Sequence, residues 1–81
     1  MQTRKKKERR EVILAVVEEQ LAIDNPKETR LTLLRLVESG YTEDEAKEKI
    51  AVILIEEIYD VLKENTPYNE ERYVSRLKQL K

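Results

Sequence analysis

From Glu43 to Glu64 the chain runs for 22 residues without a glycine or proline. As one helix this stretch would be ~33 Å long at 1.5 Å per residue. A chain of 81 residues then has few options beyond wrapping its other segments around that rod. Only one Gly and two Pro occur in the whole sequence, so each reads as a boundary. Asn25-Pro26 is the first. Pro suits the first helical position, Asn25 the N-cap, and Glu28 would complete a capping box. Ser39-Gly40 is the second, with Gly40 suited to the left-handed residue past a helix end. Thr42 and Glu45 then form a second capping box, Glu43 and Asp44 fit the dipole, and Tyr41 can staple onto Ala46. Asn65-Thr66-Pro67 is the third, and Asn69 is the N-cap expected for a short last helix. These signals predict helices over about 3–23, 26–39, 43–64 and 70–80.

Apolar spacing gives the same pattern. Ile13, Val16, Val17 and Leu21 share one face of the first helix, and Leu31, Leu34 and Val37 share one face of the second. Ala46, Ile50, Ile53, Leu54, Ile58, Val61 and Leu62 form the third helix's stripe. Spacings of three and four mark amphipathic helices. The expected fold class is all-α: a small four-helix, bundle-like domain with the third helix central and its neighbours antiparallel. Val52, Ile55 and Tyr59 fall off the main stripe. Either helix 4 covers them with Tyr73, Val74 and Leu77, or another chain does, because exposed apolar patches mark interfaces. The expected interaction surface is therefore Val52, Ile55, Tyr59 and Tyr73, and a homodimer is as plausible on these grounds as a monomer.

Composition narrows the chemistry. With no Cys and no His, the chain lacks thiolate ligands, the usual neutral-pH base and Ser-His or Cys-His nucleophiles. No apolar run approaches the ~18 residues of a membrane helix, and no signal peptide is read, so a cytoplasmic protein is expected. Charged residues make up 41% and net charge is only -1. Grouped Leu, Ile and Val argue for a folded domain over disorder.

The near-neutral total conceals an asymmetry. Arg4, Lys5, Lys6, Lys7, Arg9 and Arg10, offset by Glu8, give the first ten residues +5, and residues 11–81 carry -6. Residues 1–10 read as a basic, frayed segment ahead of a single domain over 11–81. Such a cluster can contact phosphates, but no interleaved aromatic is present to stack on bases. Elsewhere, Asp44 and Glu48 share a helix face at i,i+4 spacing. With Glu18 they could offer oxygen ligands to a hard cation, or simply be acids that suit a helix start.

Two resemblances follow from these motifs. Leu36 to Ala46, with Gly40-Tyr41 at its turn, resembles the first junction of ubiquitin-associated domains. That resemblance implies a binding role for Gly40 and Tyr41, but it ends where helix 3 continues. From Glu18 to Leu80 the order of features is similar to an uncharacterised bacterial family of small helical proteins. It rests on Glu18 and Gln20, Asn25-Pro26, Leu36 and Gly40, Glu45-Ala46, Glu56 to Lys63, and Tyr73, Leu77 and Leu80. The resemblance implies an all-α fold and would place His at Leu14, Asp44 and Glu48. Their replacement removes a transition-metal set.

The sequence thus predicts a non-catalytic module for protein–protein interaction or self-association, with no cofactor, metal, small-molecule substrate or membrane. The alternative is a nucleic-acid-associated protein using Arg4 to Arg10. A carboxylate metal-dependent hydrolase is the weakest reading, since no constellation has the required spacing.

Overall fold

The computed structural model describes residues 2–81, with side chains described from Arg9 onward. Four helices follow in order: α1 (Gln2–Ile23), α2 (Lys27–Glu38), α3 (Glu43–Glu64) and α4 (Glu70–Gln79). No strand occurs among the described residues. α3 packs against all three other helices, as the unbroken stretch requires. α1 continues through the backbone of the basic segment.

Three helices end by the same device. Asp24, Gly40 and Asn65 take positive φ (54°, 109° and 53°). The next residue's N–H then returns to a carbonyl five residues back: Asn25 to Gln20, Tyr41 to Leu36 and Thr66 to Val61. This is the Schellman closure, which satisfies carbonyls that the helix leaves open. Only one of the three uses glycine, and at φ 109° Gly40 has the geometry least open to a side chain.

Starts are more varied. Thr42 Oγ1 accepts from the Glu45 N–H at 3.1 Å, and Glu45 accepts from the Thr42 N–H at 2.8 Å, completing the expected box. Asn69 accepts from the Arg72 N–H at 3.1 Å. The expected Asn25–Glu28 box does not form. Pro26 itself occupies the α2 N-cap with no side-chain cap bond, and the Asn25-Pro26 peptide is cis. Asn25 is instead engaged through its N–H in closing α1.

The core comprises Val17 and Leu21 of α1, Leu33 and Leu36 of α2, Ala46, Ile50, Ala51, Ile53 and Leu54 of α3, and Tyr73 and Leu77 of α4. Three expected faces are corrected. On α1, Val17 and Leu21 are buried but Val16 is exposed. α2 turns Leu33 and Leu36 inward with Thr29 and Thr32, and leaves Leu31, Leu34 and Val37 exposed. Both threonines have hydroxyl partners: Thr29 donates to Gln20 Oε1 at 2.8 Å and Thr32 more weakly to the Leu77 carbonyl at 3.5 Å. In this orientation Arg30 also reaches the Leu21 carbonyl of α1, and Arg35 the Leu77 carbonyl of α4 and the Leu80 carbonyl just past its end. Two arginines of α2 thus cap the negative ends of its neighbours. On α3, Ile58 and Leu62 lie outside the core, and Glu57 is turned inward in their place.

Candidate interaction surface

Val52, Ile55, Tyr59 and Leu62 recur at intervals of three and four along α3, so they form one row. They are 54, 46, 63 and 76% exposed. The described helices therefore leave this face uncovered, and three of the four expected surface residues lie on it. Tyr73, the fourth, is corrected: it is fully buried. Its ring fills the core under α4, and its hydroxyl donates to Gln20 Oε1 at 2.8 Å. Burial pushes the phenol's pKa up, with the bonds to Thr29 and Gln20 opposing. The period of α4 indicated an apolar position at Tyr73. It did not show that the polar end would find a partner on α1.

Beside this row the α1–α3 pair opens into a groove of about 1090 Å³, lined by Val12, Ile13, Leu14, Ala51, Val52, Ile55 and Ile58. Arg9, Arg10 and Glu48 line it as well. Arg10 pairs with Glu48, both of them about half exposed. Of the α1 wall, the sequence places Ile13 on the helix's apolar face and marks Leu14 only as a replaced His position, whereas it does not single out Val12. Val12 sits one position before Ile13 on α1 and is 62% exposed. Arg4, Lys5, Lys6 and Lys7 have side chains outside the described residues.

The three acids considered for a cation, Glu18, Asp44 and Glu48, do converge, around a second recess that also contains Leu14 and Lys47. The positive charge there belongs to the protein. Lys47 Nζ lies 2.7 Å from Glu18 and 3.6 Å from Glu43, and its pKa is raised chiefly by the bond to Glu18. Among the described residues no acid cluster has metal-binding geometry. The Gly40-Tyr41 turn is occupied locally as well. Tyr41 packs beside the core, and the Lys49 ammonium sits 4.7 Å from its ring centre, a cation–π contact.

What holds α4 in place lies behind the exposed row. Glu57 is fully buried and receives Arg72 Nε at 2.8 Å, Arg72 Nη2 at 2.6 Å and the Asn69 N–H at 3.3 Å. Arg76 Nη1 approaches to 3.7 Å, and Arg76 also pairs with Asp60. The Arg72 guanidinium holds the Glu57 carboxyl below its ordinary pKa against the opposing effect of burial. This polar cluster makes α4 a fixed part of the scaffold, leaving the outer face of α3 free of it.

No helix among the described residues is long and apolar enough to cross a membrane. Comparison with family models, curated proteins and solved structures finds no match to this chain.

Proposed function

We propose that this protein is a non-catalytic helical module whose activity is to bind protein, in the first instance itself. One observation carries the reading: the exposed row Val52, Ile55, Tyr59 and Leu62 continues into an apolar groove between α1 and α3. Small soluble domains seldom leave contiguous apolar surface of this kind without a use for it. A row of side chains beside a groove is also the form in which helices recognise one another.

The competing reading is nucleic-acid binding through Arg4, Lys5, Lys6, Lys7, Arg9 and Arg10, of which only Arg9 and Arg10 have described side chains. Arg10 already meets Glu48, and both arginines border apolar surface, which favours the first reading. Sedimentation equilibrium from low to high micromolar concentration is the test. The 9.6 kDa chain should shift toward twice its mass, and Ile55→Asp with Tyr59→Ala should abolish the shift while circular dichroism stays unchanged. A 9.6 kDa species at every concentration would refute self-association.

A further inference from the structure

We infer that α4 is a latched strap: it leaves and regains its seat on α2 and α3 as a unit, while α1–α3 stay folded, and the Glu57–Arg72 pair is the latch. This is a property of a single chain and stands apart from self-association.

α4 has ten residues, too few for a helix that is stable alone in water, so it keeps its form by being seated. The link from Glu64 to Asn69 is exposed throughout. α4 packs against α2 and α3 and reaches α1 through the Tyr73 hydroxyl on Gln20. α1, α2 and α3 each pack against the other two, so their mutual contacts survive when α4 leaves. Tyr73 and Leu77, one turn apart, are the buried anchors of α4. The rest of its attachment is polar: Arg72 on Glu57, Arg76 on Asp60, and the Leu77 carbonyl receiving Thr32 and Arg35. Each of these groups exchanges its partner for water on opening, which makes the net cost of losing it small.

The same cluster that fixes α4 when seated also gathers the most demanding polar groups at this junction. Glu57 is the one charged residue buried among those described. A buried ion pair is favourable only if the remaining lone pairs and protons around it are satisfied. Here one is not. Arg76 Nη1 is buried without a hydrogen-bond partner among the described residues, 3.7 Å from Glu57 Oε1. Leaving such a donor dry is unfavourable, and opening hydrates it. Between α1 and α2, by contrast, buried Thr29 is satisfied by Gln20. Local opening therefore has its lowest cost at α4.

A proton is the natural trigger. Glu57 faces Arg72 and Arg76 from α4, the Asn69 N–H and Tyr68 from the link, and Asp60 on its own helix. Arg35 of α2 is turned to the Leu77 and Leu80 carbonyls. Arg72 keeps the carboxyl ionised below its ordinary range. Once protonated, Glu57 no longer holds two guanidiniums by charge, and α4 opens more often. Salt acts less, because buried pairs are poorly screened.

Native-state amide exchange of the full chain, read by NMR, tests the strap. Amides from Tyr73 to Leu77 should share one protection factor, about tenfold or more below that of Ile50 to Leu54. Thr42→Ala, at the start of α3 and away from Glu57, should lower protection of Ile50 to Leu54 about fivefold. It should leave α4 unchanged, because that cap stays formed when α4 opens. Glu57→Gln should lower the protection of α4 about tenfold. Arg72→Lys keeps the charge and loses the paired bonds, so it should lower it too and serves if the first variant does not fold. Equal protection of α4 and α3, falling together in Thr42→Ala, would mean one cooperative unit and no strap. Protection that grades inward from Gln79 and ignores both latch variants would mean end fraying and would overturn the latch.

Discussion

Glu57 of α3 and Arg72 of α4 meet through two hydrogen bonds, at 2.8 and 2.6 Å, with the carboxylate wholly buried and the guanidinium one-third exposed. Two parallel N–H···O bonds fix angle as well as distance. The pair sets how α4 lies on α3, which determines which face of α3 remains open.

Removing the charge of Glu57 should therefore cost more than an exposed change on the same helix. Glu57→Gln keeps the shape and loses the ionic character of bonds from Arg72. Urea denaturation should show a loss of about 1–3 kcal/mol. Glu56→Gln, one residue away and exposed, should stay within about 0.5 kcal/mol.

The same pair predicts an acid transition. The folded pKa of Glu57 lies below its ordinary value, owing first to Arg72, and that of Asp60 is lowered first by Arg76. A lowered folded pKa contributes stability that is present above the unfolded value and lost as pH falls through the folded one. Thermal midpoints should thus decline from about pH 4.3 downward, and the decline should be shallower in Glu57→Gln.

At alkaline pH the tyrosines act with the opposite sign. Burial pushes Tyr68 up to about 12 and raises Tyr73 as well. Their neutral forms are favoured in the fold, so stability is full below the unfolded value near pH 10 and is lost as pH rises toward 12. Ultraviolet titration of Tyr73→Phe should lose one late-ionising phenol. That variant should also be about 1 kcal/mol less stable, because Gln20 keeps only the Thr29 hydroxyl.

Two local changes test the helix junction before α3. Thr42→Ala removes half of a capping box and should cost about 1 kcal/mol. Gly40→Ala meets no atom within 4 Å of the added carbon, so its cost is backbone alone. Holding alanine at φ 109° should cost about 1–2 kcal/mol. Differential scanning calorimetry should rank both below wild type, with the same fold by circular dichroism.

Much of the fold is local and was legible residue by residue. Gly40, Asn65, Thr42 with Glu45, and Asn69 act within a few positions of themselves, and each terminates or starts a helix where expected. The all-α class and the central place of α3 follow from those limits and from periodicity. Val52, Ile55 and Tyr59 were legible as surplus because α3 carries more apolar positions than one stripe can hold.

Tertiary structure decided which way ambiguous helices face. α2 offers two rows, Leu33 with Leu36 and Leu31 with Leu34, and hydropathy alone does not rank them. The choice rests on distant partners: Thr29 on Gln20, Arg30 on Leu21 and Arg35 on Leu77. Glu57 is charged yet buried because Arg72 and Asn69, more than ten positions away, come together beneath it. Tyr73 left the surface because Gln20 gave its hydroxyl a partner. Periodicity reports how apolar a face is, whereas burial of a polar group depends on a donor or acceptor that only the assembled helices bring within reach.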